Sequence, residues 1–328
     1  MSEYKRHYLV TGGAGFIGSQ LVRALLNDKD LRISIIDNFD PFYSRQIKLL
    51  NTDGFEKHQQ IVLLDRNLDD LSAFELQKIL PQKVDVIIHL AAKAGVRPSI
   101  NDPLSYQCTN ILGTQMLLDF AKETAVKQFV FASSSSVYGV NENLPWNEEQ
   151  KLLPISPYAM TKLSGEMAGH VFSNLYGIRF IALRFFTVYG PSQRPDLAIH
   201  KFVKSILKDE PITMYGDGST SRDYTYVDDI VQGVLSAINY DQSNFEIINL
   251  GNSDAVSLKD LIKNLEEVVG KKAVIDQQPE QIGDVPRTYA DISKAKRLLN
   301  YQPTTHLKDG LKNFYDWFLK NKEILLHN

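Results

Sequence analysis

With a single cysteine, Cys108, among 328 residues, the chain can form no internal disulfide. The helical apolar pattern around that cysteine predicts a small buried hydrophobe. No apolar run is long enough to span a bilayer, and the opening Met-Ser-Glu-Tyr-Lys-Arg-His leads into a short apolar run without a cleavage-site pattern. The expected location is the cytoplasm. No block of lysine and arginine is long enough to follow a phosphate backbone, and the net charge is −3. This argues against nucleic acid as a partner, and any anionic ligand must meet local arginines. The seven histidines show no ligand spacing and the cysteine has no partner, so no metal is expected. Internal repeats and low-complexity linkers are missing as well.

What is present is the balance of a globular protein, 43% hydrophobic and 23% charged, in a chain long enough for one large domain with a smaller partner. Tyr8-Leu9-Val10-Thr11 reads as a buried strand. Gly12-Gly13-Ala14-Gly15-Phe16-Ile17-Gly18 follows, and Leu21, Val22, Leu25 and Leu26 continue at helical spacing. That order suits a dinucleotide. Gly12, Gly15 and Gly18 let backbone approach a pyrophosphate, and the helix start at Phe16 and Ile17 offers free N–H groups. A second strand, 33–36, ends at Asp37, with Asn38 next. An acid there accepts hydrogen bonds from an adenosine ribose and repels a 2′-phosphate, which favours NAD over NADP. Strand 61–64 ends at Asp65, which either meets the adenine edge or is a loop carboxylate in water. Strand 84–90 runs through Leu90 into Ala91-Ala92-Lys93, again at the carboxyl edge of a parallel sheet. His89, inside that apolar strand, reads as a satisfied core histidine.

A helix is expected from Asp102-Pro103 to about Lys122, and strand 128–132 leads into Ser133-Ser134-Ser135-Ser136. Pro157 opens another helix, which puts Tyr158 and Lys162 one turn apart on one face. A tyrosine ionises near pH ~10, so an adjacent ammonium would favour its phenolate. Taken alone, Tyr-x-x-x-Lys is weak and is far more often an exposed helical pair. Residues 180–186 form a sixth strand. Beyond Thr187 the pattern is less regular, with helices near 227–239, 258–269 and 307–321 around a strand at 246–250. The expected architecture is α/β: a Rossmann-type doubly wound parallel sheet over 1–186, with later segments returning to it, and a smaller α/β C-terminal substrate lobe over 187–328.

Thr11-Gly-Gly-Ala-Gly-Phe-Ile-Gly18, Ser134, Tyr158 with Lys162, and Arg222-Asp-Tyr-Thr-Tyr-Val-Asp-Asp229 together resemble the extended short-chain dehydrogenase/reductase superfamily over almost the whole chain. Within it the chain is most similar to NAD-dependent nucleotide-sugar 4-epimerases, above all those acting on UDP-glucuronate. That narrower resemblance rests on Ala94-Gly-Val-Arg-Pro-Ser99, 133–139, Leu183 to Pro191 with Arg194-Pro-Asp196, and Gln281-Ile-Gly-Asp-Val285.

The resemblance implies that Tyr158 takes the proton of the sugar 4-hydroxyl as the C4 hydride passes to NAD, with Ser134 on the same oxygen and Lys162 on the nicotinamide ribose. The 4-keto sugar then turns over and receives the hydride on its other face. Arg222, Gln281 and Asp284 are implied at the UDP moiety, and Arg97, Ser99, Ser135, Ser136, Thr187 and Arg194 at the sugar and its carboxylate. Arg194 has a plainer alternative as a loop arginine paired with Asp196. Related 4,6-dehydratases carry an Asp-Glu pair where Ser135 and Ser136 stand, which makes dehydration improbable here. The alternatives are a UDP-glucose or UDP-N-acetylglucosamine 4-epimerase, a UDP-glucuronate decarboxylase, and an NAD-binding regulatory module without turnover. The resemblance also implies a homodimer, with the two long helices that carry Met116, Leu117, Leu163, Met167 and Val171 pairing with those of a second copy; the alternative is that both helices are covered within the monomer.

Overall fold

The computed structural model describes residues 4–279 and 285–327. Gln281 and Asp284 lie outside these. The first six strands are β1 (Arg6–Thr11), β2 (Leu31–Asp37), β3 (Ile61–Asp65), β4 (Val86–His89), β5 (Gln128–Ser134) and β6 (Arg179–Phe185). Six shorter ones follow: β7 (Thr187–Tyr189), β8 (Ile212–Tyr215), β9 (Ser221–Tyr226), β10 (Phe245–Leu250), β11 (Ala255–Ser257) and β12 (Ile275–Gln278).

Strands β3-β2-β1-β4-β5-β6-β10 form one sheet in that order, with every pairing parallel. Parallel neighbours require crossover helices on the sheet faces, which is why β1, β2, β4, β5 and β6 read as near-continuous apolar runs. Strand order reverses between β1 and β4. This leaves a crevice at their carboxyl ends, where an open sheet of this kind takes its ligand. Helices Phe16–Leu25 and Val227–Ile238 pack together on one face, and Ala73–Ile79, Gly113–Glu123 and Pro157–Tyr176 cover the other. The sheet is therefore doubly wound, and the α/β class expected from the pattern is the one observed.

Helix Pro157–Tyr176 begins with Ser156 as its cap, whose hydroxyl accepts from Ala159 N at 3.1 Å, and with proline in its first turn. It lies close on the sheet because Gly165 and Gly169 bear no side chain. A Cβ there would come within 2.4 Å of Phe131 and 2.2 Å of Phe180.

The helix expected from 103 to 122 is interrupted. Pro103–Gln107 and Gly113–Glu123 are joined by a wider π-helical turn, Cys108–Leu112. That turn swings Asn110 inward and leaves Cys108 exposed, contrary to the buried hydrophobe expected of it.

Beyond Phe186, helix 227–238 and β10 return to the main sheet. The rest builds a three-stranded sheet, β11-β9-β7, and a two-stranded one, β12-β8. Among the described residues no helix is long and apolar enough to cross a membrane.

Candidate active site

The glycine turn between β1 and helix Phe16–Leu25 is closed tightly. Gly12 has φ +75°, and a Cβ on it would stand 2.7 Å from Ala91 N; a Cβ on Gly18 would stand 2.1 Å from Gly12 O. Gly15 caps the helix without any side-chain hydrogen bond, so the N–H groups at Phe16, Ile17 and Gly18 face no capping side chain. At the end of β2 the buried Asp37 carboxylate accepts from Ala14 N at 3.0 Å and Phe39 N at 2.9 Å, with Lys48 Nζ at 4.0 Å. Each carboxylate oxygen keeps a further lone pair for a hydroxyl. An uncapped helix start, a turn that only glycine fits and a fixed carboxylate beside it suit a pyrophosphate and a ribose diol.

The other expected cofactor residues sit around this cradle. Asn38 bonds Asn67, and Asp65 is exposed and paired with Arg45 at 2.6 Å. Ala91 N donates to Thr11 Oγ1 at 3.2 Å, half-buried Leu90 and Ala92 flank it, and Lys93 Nζ lies 3.8 Å from Asp40. His89 is enclosed between Thr11 Oγ1 at 2.7 Å and Thr114 Oγ1 at 3.0 Å. Burial and the charge of Lys162 hold its ring well below the usual range, at about 3, so it is neutral. It is the core histidine expected from its strand.

Tyr158 lies half-buried above the end of β5. Burial raises its pKa, while hydrogen bonding to Ser134 and the charge of Arg194 pull the other way. Ser134 Oγ also accepts from Ser136 N at 3.2 Å and Ser136 Oγ at 2.9 Å. The expected pairing of Tyr158 with the Lys162 ammonium takes a different form. Lys162 Nζ turns to the strand end, donating to Ala132 O at 2.7 Å over the Phe131 ring at 5.0 Å, and the cation acting on Tyr158 is Arg194. Burial lowers Lys162 to about 7, opposed by the Glu166 carboxylate. Helical spacing alone could not reveal that carbonyl.

Of the residues expected at the substrate, Arg97 follows β4, Ser135 and Ser136 follow β5, and Thr187, Arg194 and Arg222 lie beyond β6. Arg194 is gripped by Asp196, with Nε and Nη2 donating at 2.9 and 2.7 Å, and its guanidinium lies 5.5 Å from the Phe42 ring. The pairing with Asp196 is thus real, yet three of the five guanidinium N–H groups remain outside it. Thr187, half-buried on β7, pairs in register with Tyr224, and Arg222 sits two residues before Tyr224 on β9, its Nη1 donating to Ser221 O at 2.9 Å. A bridge between Ser221 and Arg287 brings Arg287 beside Arg222. The Arg97 guanidinium lies 5.5 Å from the Tyr215 ring, and Gln20 donates to Ser192 at 3.0 Å, so the first part of the chain is tied to the part beyond β6. Ser135 and Ser136 are half-buried in the turn after β5. Ser99 is fully enclosed, its hydroxyl spent on Val96 O at 2.6 Å, and the structure does not bring it to the crevice.

Three features escape the sequence pattern. Asn110, in the π-helical turn, accepts from Lys93 N at 2.8 Å and donates to Lys93 O at 3.0 Å and Thr161 Oγ1 at 2.9 Å, which fixes the loop after β4. Tyr106 meets Tyr158 edge-on, with centroids 6.3 Å apart. Glu166 and Arg184 form an ion pair buried behind Lys162. The available signals were an asparagine within an otherwise apolar helical stretch, a carboxylate one turn after Lys162, and a lone arginine in the apolar run 180–186. Among the described residues no group of three or more His, Cys, Asp or Glu side chains could hold a metal ion.

A doubly wound parallel sheet with a glycine turn after β1 and a fixed carboxylate at the end of β2 defines a Rossmann-type α/β protein. The profile of the GDP-mannose 4,6 dehydratase family matches residues 9–314, and the chain belongs to that family. It is 38% identical to the UDP-glucuronate 4-epimerase of Thermodesulfobacterium geofontis over 97% of this chain and 98% of that one. It is 42% identical to an uncharacterized UDP-glucose epimerase of Bacillus subtilis, over 93% of this chain and 95% of the relative. The crystal structure of UDP-glucuronic acid 4-epimerase from Bacillus cereus with UDP-glucuronic acid and NAD superposes with a TM-score of 0.90 at 39% identity. That match covers 96% of this chain and 99% of the other.

Proposed function

We propose that this chain is an NAD-dependent 4-epimerase that interconverts UDP-glucuronate and UDP-galacturonate. The observation that carries the reading is Tyr158 hydrogen-bonded to Ser134 at the end of β5, in the same sheet whose strand β1 ends in the glycine turn. Gly12, Gly15, Phe16, Ile17 and Gly18 would hold the NAD pyrophosphate, Asp37 and Asn38 the adenosine ribose, Asp65 the adenine side, and Leu90 to Lys93 with Lys162 the nicotinamide end. NAD, when bound, supplies the hydride acceptor for C4 and the donor that restores it.

Tyr158 is the proton acceptor for the sugar 4-hydroxyl, and Ser134 holds the same oxygen. Arg194 contributes twice. Its charge favours the Tyr158 phenolate, and its remaining N–H groups suit the sugar carboxylate, whose orientation must be held so that the keto stage does not lose carbon dioxide. Arg97, Ser135, Ser136 and Thr187 complete the sugar site, and Arg222 the diphosphate site, with Gln281 and Asp284 assigned there by motif. Although the family takes its name from a dehydratase, Ser135 and Ser136 are not acids and supply no proton-transfer pair for elimination.

We place the enzyme in the cytoplasm as a homodimer. Leu104, Leu112, Met167, Val171 and Leu175 are exposed on segments that pack side by side, a face suited to a second copy. The second reading, a UDP-glucose epimerase, draws on the Bacillus subtilis relative.

Purified protein given UDP-glucuronate, UDP-galacturonate, UDP-glucose and UDP-N-acetylglucosamine separately, without added cofactor, decides between them. Interconversion of the two uronates at unchanged mass is the expected result. Activity confined to the neutral sugars, or loss of carbon dioxide, overturns the assignment.

A further inference from the structure

Lys162 and Ser134 reach the site from different elements, and one buried carboxylate touches the surroundings of both. Glu166 follows Lys162 by four residues, so it lies on the same face one turn further along. It is 2% exposed and receives Arg184 through two hydrogen bonds, Nε to Oε1 at 2.9 Å and Nη2 to Oε2 at 2.8 Å. The Ser133 hydroxyl, adjacent in sequence to Ser134, donates to the same Oε1. Arg184, 1% exposed, donates through Nη1 to Tyr138 Oη at 3.0 Å, and Tyr138 Oη donates to Asn249 Oδ1 at 2.7 Å. The chain of bonds thus runs from the Tyr158 helix across the ends of β5, β6 and β10. A carboxylate with no water around it costs a great deal to bury, and the two-pronged arginine is what makes it tolerable.

We propose that Glu166 is a positioning residue for the epimerase reaction, holding Lys162 as the ammonium and clamping the Ser133–Ser134 strand end, while Arg184 locks Glu166 in place. This rests on the roles assigned above to Lys162 and Ser134. The charged and titratable groups around the ammonium are Tyr158 and Glu166 on its own helix, His89 on β4 and Arg184 on β6. His89 is neutral throughout the working range and Arg184 is permanently charged, which leaves Glu166 as the group that favours the protonated amine. Without that negative charge Lys162 loses its proton at lower pH, so activity falls off earlier on the alkaline side.

The test is the pH profile of kcat and of KM for wild type, Glu166→Gln, Glu166→Asp and the double variant Glu166→Gln/Arg184→Met, each checked for fold by circular dichroism and for bound NAD. The double variant leaves no buried arginine without its carboxylate, so it serves where Glu166→Gln alone does not fold. Glu166→Asp keeps both the counter-charge and its arginine. The expected result is an alkaline limb of kcat moved down by about one pH unit in Glu166→Gln, and by less in the double variant, where the Arg184 cation is lost as well, with KM little changed. In Glu166→Asp the limb returns toward wild type. An unmoved limb in a folded, NAD-loaded variant overturns the proposal while leaving the epimerase assignment intact. Absence of epimerisation in wild type overturns the assignment itself.

Discussion

Arg194 is held along one edge by Asp196, through hydrogen bonds of 2.9 and 2.7 Å, so its guanidinium is oriented before any substrate arrives. Preorganisation of this kind reduces the cost of binding a carboxylate. Replacing Arg194 by Gln should lower kcat/KM for UDP-glucuronate about 100-fold or more, while a neutral UDP-sugar loses less. Steady-state kinetics on paired acidic and neutral substrates checks this. Equal losses on both would assign Arg194 to a role other than the carboxylate.

Tyr158→Phe removes the proton acceptor and leaves the ring and its Tyr106 contact. The expected fall in kcat is about 10²- to 10⁴-fold, the usual worth of a positioned acid/base, with thermal stability and NAD content unchanged. Persistent turnover would place the base elsewhere.

Three buried histidines weaken the fold in acid. Burial keeps His89 at about 3 and His200 at about 4, and lowers His7 as well. An unfolded histidine binds its proton near pH ~6.5. Between there and about pH 4 these histidines bind more protons in the unfolded chain than in the folded one, so their contribution lowers stability as pH falls, offset in part by the Asp223 carboxyl, which burial raises to about 6. Urea unfolding across pH 7 to 4 should show that slope. His89→Gln should flatten it by about one proton's share, ~1.4 kcal/mol per pH unit.

Much of this was legible beforehand where the determinant is local. The glycine turn, the strand ends at Asp37 and Asp65, and the helix bounded by Ser156-Pro157 and Gly177 all carry their signals within a few residues. The short strands β7, β8, β9, β11 and β12 were not anticipated, because three to six residues without alternation do not announce themselves and their partners are distant in the chain. Lys162 was placed correctly on its helix but not in its contact. The carbonyl of Ala132 and the ring of Phe131 decide where the amine goes, and both belong to β5. Cys108 misled because a regular helix would bury it, whereas the π-helical turn at Cys108–Leu112 rotates it outward.

The exposed face of helix Pro157–Tyr176 gives a prediction about assembly. Met167, Val171 and Leu175 are 64%, 49% and 62% exposed, too much contiguous apolar surface for a helix meant to face water. Sedimentation should report a dimer, and Met167→Glu with Val171→Glu should shift it to monomer. A wild-type monomer would contradict the second copy proposed for this face.

The epimerisation is a redox reaction that cancels itself, with the hydrogen at C4 leaving and returning within one active site. Its most direct test is UDP-glucuronate carrying deuterium at C4, incubated with the enzyme in ordinary water and followed by mass spectrometry and NMR of the UDP-galacturonate formed. Full retention of deuterium at C4, with no cofactor added and no change of mass, is the expected result. Washing-out of the label into water, or a product whose C4 hydrogen comes from solvent, would contradict it.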